Sequence, residues 1–170
     1  MDFKQYIKDI QDWPEKGVVF RDMTPLLQDK DAFKKCIDDL AAPFEKEGIE
    51  TVVGIDARGF ILAAGVAYKL GAGLAIIRKK GKLPRKTVKR DYGLEYGSNT
   101  IEMHEDAIKK GSRVLIVDDV LATGGTMAAT CEMVEELKGS IVGIAFLAVL
   151  DYLPGAEKLK KYKVHTLARY

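Results

Sequence analysis

Cysteine and histidine are scarce in this sequence, and their scarcity excludes several kinds of site. The chain has two of each among 170 residues. Cys36 and Cys131 lie far apart, and no Cys-x-x-Cys pair or Cys/His cluster has the spacing of metal ligands. We therefore expect a reduced protein of the cytoplasm, without a disulfide framework or a structural zinc site. His104 and His165 form no recognisable arrangement with a nucleophile.

An excess of charge of one sign is also missing. The sequence has 27 Lys and Arg against 25 Asp and Glu, a formal net charge of +2. Binding along a nucleic-acid backbone is driven by a large excess of Lys and Arg, so the average composition argues against a nucleic-acid partner. The average leaves room for a local concentration of charge.

No segment has the character of a membrane span or an export signal. The first residues lack a basic segment followed by an apolar run, so we expect no secretory signal. The longest apolar stretch, residues 59–77, is interrupted by Lys69 and divided by Gly65, Gly71 and Gly73. We interpret this stretch as a short helix followed by a strand, and we expect a soluble protein that does not bind membranes.

The hydrophobic content, 47%, suffices for one domain covering residues 1–170. A chain of this length buries about 70% of the surface that its unfolded form exposes. Residues 3–13 place apolar side chains on one helical face before Pro14, and residues 31–46 do the same before Gly48. These patterns predict two helices.

The rest of the sequence alternates between strands and helices. The predicted strands are residues 51–55, 72–77, 113–117 and 141–150; the predicted helices are residues 59–70 and 126–137; and a long polar segment follows residue 77. The run 114–117 is apolar without alternation, which is typical of a strand covered on both faces. The pattern predicts an α/β fold with a parallel sheet, whose ligand crevice lies at the carboxyl ends of the strands.

The most informative segment joins this apolar run to a glycine turn. The run ends in Asp118 and Asp119, and a Thr-Gly-Gly-Thr turn at residues 123–126 precedes a helix. Adjacent carboxylates repel one another and need solvent, a cation or hydroxyl donors, and a sugar diol fits that need. Glycines admit close backbone approach, and a helix N-terminus favours a phosphate monoester. The alternative is a solvated acidic turn whose second Thr caps the helix. No Gly-Lys-Ser/Thr follows, so this is not a nucleoside-triphosphate loop.

This segment resembles the signature of the type I phosphoribosyltransferases. The resemblance implies a single-domain fold with a central, mostly parallel sheet flanked by helices, an N-terminal hood at about residues 1–30 and a flexible lid loop at about residues 79–102. It implies that Asp118 and Asp119 hold the ribose hydroxyls of phosphoribosyl pyrophosphate. The residues that it places around the 5-phosphate are Ala122, Thr123, Gly124, Gly125 and Thr126.

A second strand ends in Asp56, Ala57, Arg58 and Gly59. An Arg at the mouth of the sheet can neutralise pyrophosphate charge, although it can also simply pair with a neighbouring Asp. The stretch resembles the pyrophosphate loop of the adenine phosphoribosyltransferases, which implies a cis Asp56–Ala57 peptide. Many relatives have Ser at the position of Ala57, so here only a backbone contact is expected.

A third segment, residues 78–90, carries eight basic side chains. Such a run can be a solvated face. It nevertheless starts where a predicted strand ends, at the same sheet edge as Asp118. The resemblance assigns Arg78, Lys79 and Lys82 to the pyrophosphate, in part across a dimer interface.

The residues that follow resemble the mobile lid of the adenine enzymes in Leu94-Glu95-Tyr96-Gly97. A lid would shield an oxocarbenium-like transition state from water. By resemblance, Glu95 is the acid/base or electrostatic group near the purine, and Tyr96 closes over the donor. The alternative for Glu95 is an exposed loop carboxylate.

Residues 17–27 have no helical period and suggest a hood over the pocket, outside the sheet. Apolar side chains beside exposed backbone can hold a purine and bond to its edge. By resemblance, Phe20 stacks on adenine while main-chain groups of Val19 and Arg21 bond to the base. From the residues alone, Phe20 would be a core residue.

The resemblance implies a homodimeric enzyme of purine salvage that converts adenine and phosphoribosyl pyrophosphate to AMP and pyrophosphate. Mg²⁺ would accompany the pyrophosphate, held by substrate oxygens and water. A hypoxanthine, guanine or xanthine enzyme is the nearest alternative, and the hood and residues 94–97 argue against it. A regulatory sensor would need an added DNA-binding module, and a nucleic-acid binder would need interleaved aromatics near the basic segment.

Overall fold

The computed structural model of the chain describes residues 1–93 and 98–170. Its strands are β1 (Lys8–Gln11), β2 (Val19–Asp22), β3 (Thr51–Ile55), β4 (Gly73–Lys79), β5 (Thr87–Gly93), β6 (Ser98–His104), β7 (Arg113–Leu121), β8 (Ser140–Val149) and β9 (Val164–Arg169). Its α-helices are α1 (Thr24–Gln28), α2 (Lys30–Ala41), α3 (Arg58–Leu70) and α4 (Gly125–Glu136). Short 3₁₀ helices occupy Phe3–Tyr6, Ala42–Phe44 and Pro154–Leu159.

Seven of these strands form one sheet in the order β5-β6-β4-β3-β7-β8-β9. The neighbours from β4 to β9 pair in parallel, whereas β5 and β6 form an antiparallel hairpin at one end. The predicted α/β fold with a mostly parallel central sheet is therefore confirmed. Strands β1 and β2 form a separate antiparallel pair, so residues 19–22 lie outside the central sheet as predicted.

The two faces of strand β7 explain its unbroken apolar run. Leu115 and Val117 belong to the core cluster that contains α2 and α3, while Val114 and Ile116 belong to the cluster that contains α4. All four side chains are fully buried. Successive side chains of a strand point to opposite faces, so a strand with helices packed on both sides is apolar at every position.

The helix predicted for residues 3–13 is wrong. Only Phe3–Tyr6 is helical, as one 3₁₀ turn, and β1 pairs with β2 immediately afterwards. The apolar side chains that suggested one helical face do not share a face in the structure. Phe3 and Ile7 are buried, whereas Ile10 is 40% exposed. A single turn is enough to bury the first two side chains, and strand pairing then satisfies the backbone.

The second predicted helix, residues 31–46, ends earlier than expected. Helix α2 begins after Asp29, whose carboxylate accepts hydrogen bonds from the N–H groups of Asp31 and Ala32. It gives way to a 3₁₀ helix at Ala42–Phe44. Pro43 explains this end, because it has no N–H to donate and its ring disfavours the preceding helical turn.

Three strands of the central sheet were missed by the sequence prediction, namely β5, β6 and β9. The first two lie in the segment that we expected to be irregular. Along β5 the side chains alternate between partly buried and exposed, and the exposed positions are polar or glycine. An edge hairpin of this kind has too few apolar residues to show a strand signal.

Both cysteines are buried and free, and burial raises the pKa of each thiol to about 12. Cys131 is a small core residue of α4, as expected. None of the helices formed by residues 1–93 and 98–170 has the length and hydrophobicity that a bilayer crossing requires.

Candidate active site

A cavity of about 270 Å³ lies at the carboxyl ends of β3, β4 and β7, and we call it the edge cavity. The parallel strands bring together side chains that are far apart in the sequence, as the fold class predicts. Among the predicted site residues that line it are Ala57, Arg58, Arg78, Lys79, Asp118, Asp119 and Thr126. The Asp56–Ala57 peptide in its wall is cis, as the resemblance implies.

Asp118 and Asp119 lie within β7, because this strand extends to Leu121 and not only to residue 117 as predicted. The Asp119 N–H donates to Asp118 Oδ1 over 2.9 Å. Burial and the neighbouring Asp119 carboxylate raise the pKa of Asp118 well above its ordinary value, and the Asp119 N–H and Arg58 oppose that shift only in part. The folded protein therefore retains an electrostatic repulsion between two neighbouring carboxylates, which we call the stored repulsion.

Arg58 compensates the second acid. Its Nη2 lies 2.6 Å from Asp119 Oδ2. Oδ2 is buried, so the nearby guanidinium charge offsets the cost of keeping an ionised carboxylate there. Asp119 is thus neutralised by charge, and its carboxylate lines the edge cavity beside that of Asp118.

Gly59 allows the helix α3 to begin directly against Asp118. A Cβ at this position would overlap the Asp118 carboxylate and lie 3.4 Å from its Cα. No side chain caps α3, whose N-terminal turn starts at the cavity wall. Free N–H groups and the helix dipole there favour an anion.

A second, smaller hollow of about 100 Å³, the loop cavity, adjoins the first and shares Asp118 and Thr126 with it. The loop residues 120–127 form most of its wall. Gly124 has φ +76°, and a Cβ there would lie 2.9 Å from the Gly155 Cα, so only glycine fits. Gly124 is the N-cap of α4 and offers no side-chain cap. The alternative in which Thr126 caps this helix is therefore wrong, and no side chain occupies the first N–H groups of α4.

On the other side of Arg58 lie two adjoining hollows of about 230 and 580 Å³, together called the hood cavity. Val18, Val19 and Arg21 line both of them, with Ala122 and Leu150 opposite. The larger hollow is mostly apolar in its lining and is wide enough for a planar ring system. Edge, loop and hood cavities thus meet around Arg58, Asp119 and Ala122.

Phe20 lies at the boundary between the hood cavity and Arg58. It is partly exposed, so the interpretation as a core residue is wrong. The Arg58 guanidinium lies 4.5 Å from its ring centroid, and Trp13 meets the ring edge-on at 4.4 Å. Arg58 Nη1 also donates to the main-chain oxygen of Arg21 over 3.3 Å. Arg58 therefore connects the N-terminal hairpin to the acid pair.

The eight cations of residues 78–90 are not equivalent. Arg78 Nε lies 3.2 Å from Asp56 Oδ2, and Arg78 and Lys79 line the edge cavity. Three others form ion pairs away from the cavity: Arg85 pairs with Asp106, Lys89 with Glu102 of β6, and Arg90 with two glutamates of α4. Lys82 is exposed and is absent from the described walls of the edge, loop and hood cavities. Glu95 and Tyr96 lie outside the described residues.

Tyr92 and Leu150 are among the cavity-lining residues that the sequence prediction did not name. Tyr92 lines the edge cavity, and a Cβ at Gly125 would lie 3.4 Å from its Cδ2. The sequence prediction did not place Tyr92 near the site, because it did not recognise β5 as a strand. Leu150 lines the hood cavity, and its place at the carboxyl end of a predicted strand was a usable signal. No cluster of three or more His, Cys, Asp or Glu side chains suited to a metal occurs among residues 1–93 and 98–170.

Comparisons with known proteins agree with this geometry. The family model of the phosphoribosyl transferase domain matches residues 26–168. An adenine phosphoribosyltransferase of Brachyspira hyodysenteriae is 54% identical over 170 residues, covering 100% of both chains. The crystal structure of adenine phosphoribosyltransferase from Rhodothermus marinus is 48% identical, with a TM-score of 0.94 over 99% of this chain and 96% of that chain. The Saccharomyces cerevisiae enzyme, solved with adenine and an imino-altritol bisphosphate, is 37% identical, with a TM-score of 0.91 over 97% and 98% of the two chains.

The stored repulsion predicts a pH-dependent gain in stability from Asp118→Asn. At about pH 8 the variant should be more stable than the native protein by about 0.5–2 kcal/mol, because the amide carries no charge to desolvate. The pKa of Asp118 is raised in the folded state, so native stability falls as pH rises from the ordinary Asp value through the raised one. The gain should therefore shrink toward about pH 4.5, as measured by urea unfolding at both pH values.

Asp119→Asn is the matched control, because it removes the partner of Arg58 and should give no gain at either pH. A less stable Asp118→Asn protein at both pH values would contradict the stored repulsion.

Proposed function

The chain belongs to the adenine phosphoribosyltransferases, a branch of the phosphoribosyl transferase family, and we propose from this membership that it makes AMP and pyrophosphate from adenine and phosphoribosyl pyrophosphate. The carrying observation is the junction of three cavities at the acid pair: Asp118 lines the edge and loop cavities, and Asp119 lines the edge and hood cavities. Pyrophosphate in the edge cavity, a phosphate monoester in the loop cavity and a planar base in the hood cavity would meet there. A sugar between them would reach the acid pair.

The donor would span the edge and loop cavities. Backbone N–H groups of Ala122, Thr123, Gly124, Gly125 and Thr126 would hold the 5-phosphate at the uncapped start of α4. Asp118 and Asp119 both line the edge cavity and would accept hydrogen bonds from the two ribose hydroxyls. Ala57 would contribute only its backbone to the pyrophosphate.

Positive charge around the edge cavity would stabilise the departing pyrophosphate. Arg58, Arg78 and Lys79 line that cavity and would neutralise charge as the bond to the anomeric carbon breaks. Purine N9 would attack that carbon from the hood side as the pyrophosphate leaves, and the purine proton would pass to Glu95, the proposed acid/base group. Catalysis would depend on positioning and electrostatics, with no covalent intermediate on the protein.

The hood cavity would hold adenine. Its apolar walls suit a purine ring, and Phe20 would stack on the base while main-chain groups of Val19 and Arg21 bond to its edge. Residues 79–102 would provide the lid, with Glu95 acting near the purine and Tyr96 closing over the donor. Both roles are carried over by resemblance, and the hood is proposed to span about residues 1–30.

Mg²⁺ is the proposed cofactor. When bound, it would neutralise part of the pyrophosphate charge. The side chains around the edge cavity fit an ion that substrate oxygens and water hold, because they present cations and a diol-binding acid pair in place of a ligand cluster. We also propose a location in the cytoplasm, consistent with two free, buried thiols.

The proposed enzyme is tested by incubating the protein with donor, Mg²⁺ and one base at a time. Adenine should give AMP, whereas hypoxanthine, guanine and xanthine should give at most a small fraction of that rate, because the base bonds to fixed main-chain groups. Nucleotide formation is followed by chromatography. Absence of AMP with adenine would overturn the proposal, and faster IMP or GMP formation would favour the alternative enzymes.

A pair of variants separates the proposed roles. Glu95→Ala should lower kcat by about 100-fold or more, as loss of an acid/base group does, with little change in donor affinity. Asp118→Ala combined with Asp119→Ala should instead weaken donor binding, because the ribose hydroxyls lose both acceptors. Steady-state kinetics and donor titration measure the two effects. Normal kinetics in both proteins would refute the assignment of these residues.

A homodimer is supported by apolar side chains exposed on one face. Ile61 and Tyr68 lie two helical turns apart on α3 and are 42% and 91% exposed. Sedimentation should give a dimer, and Tyr68→Glu should shift it toward monomer by placing a charge in the interface. A native monomer would contradict this proposal.

A further inference from the structure

Glu102 is a buried carboxylate for which the proposed reaction has no use. It lies in β6 and is only 2% exposed. A buried charge is costly unless it is both paired and hydrogen-bonded, and Glu102 meets both conditions. Its Oε1 lies 3.1 Å from Lys89 Nζ, and its Oε2 accepts a hydrogen bond from the Gly81 N–H over 3.1 Å. Burial raises the pKa of Glu102, but Lys89 and the Gly81 N–H outweigh it, and the net shift is downward.

The Gly81 N–H belongs to the turn that follows β4. The Lys82 N–H donates to Lys79 O over 3.2 Å, and Gly81 has φ +79°. These features are those of a type II turn, whose third residue requires a positive φ. The types I and II differ by a flip of the central peptide, which here joins Lys80 to Gly81. By holding the Gly81 N–H, Glu102 selects one of the two orientations.

The same turn is attached to the edge cavity. Arg78 and Lys79, which precede its central peptide, both line that cavity. Arg78 Nη1 donates to Lys82 O over 3.5 Å, and Arg78 Nε donates to Asp56 over 3.2 Å. A change in the turn would therefore move the two cations that face the cavity.

The sheet register explains why Glu102 can act on this turn. In the three neighbouring strands, Lys89 lies opposite Glu102, and Glu102 lies opposite Arg78. Directly opposite residues share a face of a sheet, so the carboxylate lies between two cations. Lys89 pairs with one oxygen, which leaves the other to reach beyond Arg78 to the turn.

We propose that Glu102 is a positioning residue of the pyrophosphate site, which fixes the 79–82 turn through the Gly81 N–H and thereby holds Arg78 and Lys79 in the wall of the edge cavity. This inference rests on the proposed function for the identity of the anion. Glu102 acts through the turn and does not touch the substrate.

The test uses Glu102→Ala and Glu102→Gln. The alanine variant loses the acceptor and should raise the KM for the donor, and the Kd for pyrophosphate, by about tenfold, the size expected for losing a charge-assisted hydrogen bond. Its KM for adenine should change by less than about twofold, because the hood cavity is untouched, whereas its kcat should also fall, because Arg78 and Lys79 would neutralise the departing pyrophosphate. The glutamine variant keeps an oxygen for the Gly81 N–H and should recover most of the pyrophosphate affinity.

Gly81→Ala tests the turn without touching Glu102. A Cβ there would meet no atom within 4 Å, so the change acts only through the strain of a positive φ. It should reproduce the raised donor KM, and combining it with Glu102→Ala should add little, since both act on one turn. Asp106→Asn is the control, because it removes an exposed ion pair at the other end of the hairpin and should leave all constants unchanged.

The outcomes separate this inference from the proposed function. Pyrophosphate affinity is measured by calorimetry and does not depend on turnover. The positioning role of Glu102 is therefore tested even if the native protein forms no AMP. Absence of AMP would refute only the proposed function. Unchanged pyrophosphate affinity in Glu102→Ala would overturn the positioning role. So would equal losses in the alanine and glutamine variants together with a lowered melting temperature and a raised KM for adenine, because that pattern indicates a general structural defect.

Discussion

The ion pair between Arg58 and Asp119 is the contact on which the arrangement of the site depends. It joins the start of α3 to the end of β7, two segments that are adjacent only because β3 and β7 pair in parallel. Through the same guanidinium the N-terminal hairpin is held over the sheet, since Arg58 bonds to Arg21 O and lies against Phe20. Removing this cation would leave a buried acid unpaired and detach the hood from the sheet at one point.

Folding the site costs free energy, and the burial of apolar side chains in the surrounding sheet offsets that cost. Asp118 and Asp119 interrupt a strand whose other central side chains are fully buried in two cores. Gly59 and Gly124 admit backbone where any side chain would collide. Helices α3 and α4 both begin without a side-chain cap at the cavities. Unpaired N–H groups, an acid pair and nearby cations together form a site suited to an anion that carries a diol.

The sequence predicted the central sheet and the position of the site well, because both depend on local signals. Strand β3 has the predicted bounds, and the double acid with its glycine turn identified the loop cavity. Prediction failed where tertiary contacts override local pattern: the apolar spacing at Phe3 and Ile7 suggested a helix, and the polar hairpin β5–β6 gave no strand signal. The partial exposure of Phe20 and the link from Glu102 to Gly81 depend on contacts between distant segments, which no window of sequence contains.

The most direct test of the central claim is a crystal structure of the protein with AMP. The account predicts the phosphate on the backbone of residues 122–126, the ribose hydroxyls on Asp118 and Asp119, and the base in the hood cavity against Phe20. In that complex Arg58 should still lie between the acid pair and the hood. AMP bound with its base outside the hood cavity, or with its ribose away from the acid pair, would contradict the account.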